Sequence, residues 1–133
     1  MPCEFHRISS STVYIPQENE IFVFGSNKDG LHYGGAAKLA YDKFGAVMGQ
    51  GFGLQGNSFA VDTMTGLYRT EIHVKEFIKI VNQNEDKTFL VTEIGCGIAG
   101  YSVEEIAPLF KDCLELDNVY LPERFINHLI KTK

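Results

Sequence analysis

The chain has 133 residues, of which 44% are hydrophobic and 22% charged, and these proportions are typical of one globular domain rather than of a disordered chain. Its formal net charge of −5 disfavours a basic face for nucleic acid, although backbone N–H groups can still bind a small anion. Three widely spaced cysteines indicate neither a disulfide framework nor a zinc site, and no apolar run or signal-peptide pattern indicates a membrane. We expect one cytoplasmic domain over residues 1–133, without metal, cofactor or membrane partner.

Short apolar runs alternate with helical stripes along most of the chain. Buried strands are predicted at 21–24, 58–61, 89–92 and 119–121, and two N-terminal strands near 5–8 and 13–15. Apolar residues at helical spacing predict four helices, at 36–44, 74–81, 103–114 and 122–130. The alternation predicts an α/β fold with a mixed, mainly parallel sheet and helices on both of its faces.

Particular residues are expected to begin or end these helices. Gly45 should stop the first helix. Ser102 with Glu105 fits a capping box for the third, although Pro108 removes a backbone donor and predicts a kink or a later start. Pro122 fits the first position of the last helix.

The first glycine-rich loop joins a predicted strand to a predicted helix between Gly25 and Gly35. Gly34 and Gly35 leave N–H groups open at the start of the helix, where the helix dipole favours an anion. Ser26 and Asn27 can hydrogen-bond hydroxyl groups or water, and His32 could donate to a phosphate or ribose oxygen. An ordinary loop with an asparagine turn is the alternative interpretation.

The second glycine-rich loop follows the strand at 89–92 and has three glycines in six residues, from Gly95 to Gly100. Such spacing can turn successive N–H groups to one side and form an anion-binding nest. Tyr101 could stack on a base or ribose, or instead fill the core. Because ligands of parallel sheets bind beyond the carboxyl ends of the strands, we expect the two loops to share one cleft.

Three other features have simpler interpretations. Residues 51–56 match the G-x-G-x-x-G pattern of dinucleotide-binding proteins, but a strand-like run follows them where that motif needs a helix, so we expect a surface loop flanking the pocket. Cys96 could be activated by local positive potential, or be an inert buried thiol. Glu93 and Asp29 are the acids nearest the loops and could act as bases, or be solvated carboxylates.

The two loops together resemble the macro domain family, in a divergent bacterial or phage branch. Residues 22–27 look like its strand ending in an asparagine turn, 32–37 like its glycine-rich helix start, and 89–101 like its second phosphate loop. The likeness extends over roughly residues 20–121. The acidic motif with which that family holds the adenine amino group has no counterpart at Glu18 or Glu20.

The resemblance implies a three-layer α/β/α fold that binds ADP-ribose. It places Asn27 and Tyr101 near the distal ribose, the first glycine pair at that ribose and a phosphate, and the second loop around the diphosphate. The expected ligand-binding residues are Gly25, Ser26, Asn27, His32, Gly34, Gly35, Gly95, Cys96, Gly97, Ile98, Ala99, Gly100 and Tyr101.

Three functions follow from this sequence. The first is a module that binds ADP-ribose or a related phosphorylated nucleotide. The second is a hydrolase of ADP-ribosyl or ADP-ribose-1″-phosphate-type linkages, in which Asn27 would orient water while Asp29 or His32 assists proton transfer. The third is a non-catalytic interaction protein that keeps only the fold, and the acidic net charge disfavours nucleic acid as its partner.

Overall fold

A computed structural model describes residues 8–9, 19–97 and 99–131 of the chain. Strands and helices alternate through most of this part. The strands are β1 (Ile8–Ser9), β2 (Glu20–Ser26), β3 (Gly53–Gln55), β4 (Ser58–Asp62), β5 (Thr88–Val91) and β6 (Val119–Pro122). The helices are α1 (Gly35–Lys43), α2 (Leu67–Asn82), α3 (Val103–Ile106), a 3₁₀ helix (Ala107–Glu115) and α4 (Glu123–Lys131).

The strands form one sheet in the order β1-β6-β5-β2-β4-β3. Every neighbouring pair is parallel except β3 and β4, which are antiparallel. The predicted α/β fold with a mixed, mainly parallel sheet is therefore confirmed. Because β2 lies between β5 and β4, the segments that follow these three strands start at the same edge of the sheet.

The two faces of β2 contact different hydrophobic clusters. Phe22 and Phe24 pack with α1 in the smaller cluster, whose other members are Ala37, Ala40, Phe44, Ala46 and Ala60. Ile21 and Val23 belong to the larger cluster, which includes residues of α2, the 3₁₀ helix and α4, such as Phe77, Phe110 and Phe125. This alternation explains the continuous apolar run, since a strand buried on both faces needs apolar residues at every position.

The sequence signals for helix ends are largely found in the structure. Phe44 caps α1, and Gly45 follows it with a φ of +80°, a conformation that glycine adopts readily. The capping box of Ser102 and Glu105 is present. Because α3 starts directly after Ser102, the predicted later start of this helix is wrong. The effect of Pro108 is instead a change from α to 3₁₀ geometry at Ala107.

Three further predictions, for Pro122, the G-x-G-x-x-G stretch and the N-terminal strands, can be compared with the structure. Pro122 is the last residue of β6 and α4 begins at Glu123, so the prediction that Pro122 occupies the first position of the last helix is wrong by one residue. Residues 53–55 form β3, which a tight turn joins to the antiparallel strand β4, so no helix follows the G-x-G-x-x-G stretch as a dinucleotide-binding motif requires. The expected surface loop flanking the pocket is wrong for residues 53–55, which form a strand and do not line the cleft described below. Of the predicted N-terminal strands, residue 8 lies in β1, and 5–7 and 13–15 lie outside the described residues.

No helix among the described residues combines the length and apolarity needed to span a membrane.

Candidate functional site

A cleft of about 550 Å³ opens at the carboxyl ends of three adjacent strands, β5, β2 and β4. Both glycine-rich loops contribute to its walls. Its lining residues are Gly25, Ser26, Asn27, Leu31, Tyr33, Gly34, Gly35, Ala36, Ala37, Thr63, Met64, Thr92, Glu93, Ile94, Gly95, Gly97 and Ala99. The expectation that the two loops share one cleft therefore agrees with the geometry.

The N-terminus of α1 opens into the cleft. Gly34 is the N-cap residue in an extended conformation and, as a glycine, has no side chain with which to cap the helix, and the first turn contains no acidic residue. Residues 34–37 all line the cleft. The first N–H groups of a helix have no partner within the helix, and the helix dipole adds positive potential there. This wall of the cleft can therefore hold an anion without any lysine or arginine.

The second loop forms the wall on the β5 side with a compact turn. The N–H of Gly100 donates to Gly97 O at 3.0 Å, and that of Tyr101 donates to Gly95 O at 2.8 Å. Gly95 has a φ of +77°, and a Cβ there would lie 2.9 Å from Cδ1 of Ile106. A Cβ on Gly97 would meet no atom of the described residues within 4 Å beyond its chain neighbours. A side chain at position 95 would therefore be strained, whereas at position 97, which lines the cleft, a Cβ would meet open space.

Asn27 lines the cleft, but its side chain already binds the loop. Its Nδ2 donates to Leu31 O at 3.0 Å, and its Oδ1 accepts the N–H of Leu31 at 2.9 Å. One hydrogen of the amide and one lone pair of its oxygen are left for a ligand. In this geometry Asn27 shapes the turn of the first loop rather than standing free to orient a water molecule.

His32 lies beneath the first loop rather than in the cleft. It is only 1% exposed, and its ring stands edge-on to Phe24 at a centroid distance of 5.3 Å. Nδ1 is 2.9 Å from the hydroxyl of Ser26, and Nε2 is 2.8 Å from Val47 O. Direct contact with a ligand and proton transfer to it, both expected of His32, are wrong because both ring nitrogens are engaged inside the protein.

Several other expected residues do not line the cleft. Asp29 is exposed in the turn between Asn27 and Gly30, Gly100 is also exposed, and neither residue lines the cleft. Tyr101 packs against the larger hydrophobic cluster, so its interpretation as core filler replaces that of a stacking residue. Ile98 lies outside the described residues.

Cys96 is half-buried and also packs against the larger cluster rather than lining the cleft. Burial raises the pKa of its thiol, and the carboxylate of Glu93 raises it further, while Arg124 acts in the opposite direction. A raised thiol pKa lowers the fraction of nucleophilic thiolate. The raised pKa favours the inert alternative for Cys96 over the activated thiol.

A third loop, after β4, was missed by the sequence analysis. Thr63 and Met64 line the cleft from this side. Asp62 is fully buried and anchors the loop, because its carboxylate accepts the N–H of Met64 at 2.9 Å and the hydroxyl of Thr65 at 2.6 Å. The signal was available, since the run at 58–61 was predicted as a parallel strand and its carboxyl end belongs at the same edge of the sheet.

The lining is mostly apolar and carries little charge. Glu93 is the one residue with a carboxylate or cationic side chain among the described lining residues, and it forms an ion pair of 2.8 Å with Arg124 on α4. Leu31, Tyr33 and Met64 are large exposed hydrophobic residues that line the cleft. We call these three residues the apolar rim. A pocket with apolar walls and a few polar groups is typical of small-molecule sites.

The fold and cleft define an α/β protein with a ligand-sized opening at the carboxyl edge of its parallel strands. No protein-family model, curated protein or solved structure matches the chain. Any assignment of function therefore depends on the chemistry of the cleft itself.

Proposed function

We propose that the chain is a single macro domain-like unit of three α/β/α layers that binds ADP-ribose or a related phosphorylated nucleotide. The observation that carries the proposal is that the N-terminus of α1, whose N-cap residue is a glycine, and the turn at Gly97 line the same cleft. Backbone N–H groups at a helix start and in a glycine-rich turn are suited to phosphate oxygens. Two such elements across one opening suit a diphosphate better than a single phosphate.

The size of the cleft supports a nucleotide rather than an inorganic anion. Its volume of about 550 Å³ is within the range usual for sites of drug-sized ligands. The apolar rim offers surface for a planar or apolar part of such a ligand, and Ser26 and Asn27 offer polar contacts for its hydroxyl groups. Glu93 would repel a phosphate placed beside it, but its pairing with Arg124 offsets part of that charge.

Binding is favoured over hydrolysis by the positions of the three expected catalytic residues. His32 is buried under the loop, Asp29 does not line the cleft, and the amide of Asn27 holds Leu31. These side chains do not converge on a point where a water molecule and a scissile bond could meet, which general acid–base catalysis requires. We therefore propose a binding module.

Isothermal titration calorimetry with ADP-ribose, AMP, NAD and inorganic phosphate tests this function. We expect ADP-ribose to bind with a Kd in the micromolar range, on the order of −8 kcal/mol for about 1 μM, and phosphate alone to bind far more weakly. If none of the nucleotides binds more tightly than about 1 mM, the proposed function is wrong and the interaction-protein alternative gains support. Release of ADP-ribose from ADP-ribosylated protein would instead support the hydrolase.

A further inference from the structure

Buried hydrogen bonds connect the cleft to the protein interior through Ser26 and His32. Ser26 lines the cleft although it is only 5% exposed, and its Oγ lies 2.9 Å from Nδ1 of His32. On the other side of the ring, Nε2 lies 2.8 Å from Val47 O and 3.2 Å from Oε1 of Gln55. The protonation of this ring decides what Ser26 can offer to a ligand.

The two neighbours of Nε2 are both hydrogen-bond acceptors. A backbone carbonyl such as Val47 O can only accept. The amide of Gln55 is oriented by its own contacts, since Oε1 accepts the N–H of Val47 at 2.7 Å and Nε2 donates to Gln50 O at 3.1 Å. The hydrogen of a neutral imidazole at position 32 therefore belongs on Nε2, and Nδ1 must be an acceptor.

An acceptor at Nδ1 fixes the hydroxyl of Ser26 as a donor to His32. The single hydrogen of the hydroxyl is then used, and no other contact to its Oγ occurs within the described part of the chain. A hydroxyl oxygen has two lone pairs, and no donor among the residues that the structure describes satisfies those of Ser26. Because Ser26 lines the cleft, we infer that it presents an acceptor there and selects a hydroxyl donor of the ligand, of the kind a ribose carries, rather than a phosphate oxygen.

This inference rests on the proposed nucleotide function, but its first step can be tested on the protein alone. Long-range ¹H–¹⁵N NMR spectra of labelled protein, recorded at about pH 8 where an ordinary imidazole is neutral, report which ring nitrogen carries the hydrogen. We expect His32 to be protonated at Nε2 and unprotonated at Nδ1. A hydrogen on Nδ1 would overturn the inference, whether or not any nucleotide binds.

The second step is tested with two ligands that differ in their hydroxyl groups. We expect Ser26→Ala to weaken binding of ADP-ribose about tenfold, the effect of one lost hydrogen bond, and to change binding of inorganic pyrophosphate by less than about twofold. Ser26→Thr, which keeps the hydroxyl, should restore most of the affinity for ADP-ribose. Ser58→Ala is the matched control, because Ser58 is a buried serine that donates to Gln55 O and does not line the cleft.

The outcomes separate this inference from the proposed function. Equal losses for ADP-ribose and pyrophosphate in Ser26→Ala would overturn the selection of a ligand hydroxyl while leaving the cleft a phosphate site. Failure of the wild-type protein to bind any nucleotide would overturn the proposed function, and the inference with it. Circular dichroism melting of each variant verifies that the fold is retained.

Discussion

Asn27 and Leu31 are joined by a pair of hydrogen bonds, in which the side-chain amide of Asn27 binds both the backbone N–H and the backbone carbonyl of Leu31. The turn between them is closed by the N–H of Gly30, which donates to Asn27 O at 3.0 Å. Gly51 packs behind this turn so closely that a Cβ on it would overlap the carbonyl oxygen of Asn27. The G-x-G-x-x-G stretch thus supports the first loop from behind, although it does not line the cleft.

Gly51→Ala should therefore destabilise the protein. The added methyl group has no space against the backbone of Asn27, and overpacking of this kind costs about 1–3 kcal/mol. Urea unfolding followed by circular dichroism measures the change in the free energy of unfolding. Gly97→Ala is the matched control, because its methyl group meets no described residue within 4 Å, and it should change stability by less than about 0.5 kcal/mol. Equal stabilities of the two variants would contradict the packing.

Gly97→Val should weaken nucleotide binding strongly and leave the fold intact. Gly97 has no positive φ that would strain a side chain, it lines the cleft, and a Cβ on it would meet open space. A branched side chain would therefore displace the ligand rather than part of the protein. We expect the affinity for ADP-ribose in calorimetry to fall by at least about tenfold, with a smaller loss in Gly97→Ala.

The melting temperature serves as the control for this series. It should be the same within about 2 °C for wild type, Gly97→Ala and Gly97→Val. Undiminished affinity in the folded valine variant would show that no ligand approaches this turn, and the phosphate-binding role of the second loop would have to be abandoned.

Most strands and helices were predictable because their signals are local, whereas β3 lies where a surface loop was expected. A continuous apolar run such as 21–24 indicates a strand covered on both faces, and the stripe on α2 indicates one buried helix face. The glycine-rich segments were placed at one edge of the sheet by the general behaviour of parallel strands. The structure differs from the sequence prediction where the position of a side chain depends on contacts with residues distant in sequence.

His32 is the clearest example of such a difference. From sequence it lies in a glycine-rich loop beside a helix start, which suggests contact with a ligand. Its burial depends on Val47 and Gln55, which are 15 and 23 residues further along the chain and which no local pattern connects to it. The third loop was missed because it has no cluster of glycines, although it follows a predicted strand, and its shape depends on the fully buried Asp62.

Tyr33 should contribute stacking area to nucleotide binding. It lines the cleft and is 69% exposed, and the other residues of the apolar rim contain no carboxylate or amide that could read the edge of a base. Stacking of a base on an aromatic ring is worth about 1–3 kcal/mol, so Tyr33→Ala should weaken AMP binding about tenfold. Tyr33→Phe should bind AMP as wild type does, and AMP and GMP should bind within about threefold of each other.

Tyr68 offers a matched control for Tyr33. It is 77% exposed on α2 and does not line the cleft, so Tyr68→Ala should leave AMP affinity unchanged in the same calorimetric titration. Equal affinities of Tyr33→Ala and Tyr68→Ala for AMP would show that Tyr33 does not contact the nucleotide. A strong preference for one purine would indicate that polar groups elsewhere in the cleft read the base.

The reactivity of Cys96 should follow the charges of the Glu93–Arg124 pair. Burial and the carboxylate of Glu93 both raise the pKa of the thiol, so at about pH 8 less of it is thiolate than in a free cysteine, and its alkylation by iodoacetamide should be slow. Glu93→Gln removes a negative charge, lowers that pKa and should speed alkylation. Arg124→Gln removes the opposing positive charge and should slow it.

Peptide mass spectrometry resolves Cys96 from the other cysteines and gives its alkylation rate as a function of pH. Cys113 provides an internal reference, because burial raises its pKa to about 12 and it should remain unmodified while the protein is folded. The midpoint of the rate profile for Cys96 should move to lower pH in Glu93→Gln and to higher pH in Arg124→Gln. Since burial is the largest cause, neither variant should bring the midpoint below that of an ordinary cysteine, and a midpoint there would mean that the thiol is more exposed to solvent than its packing against the core indicates.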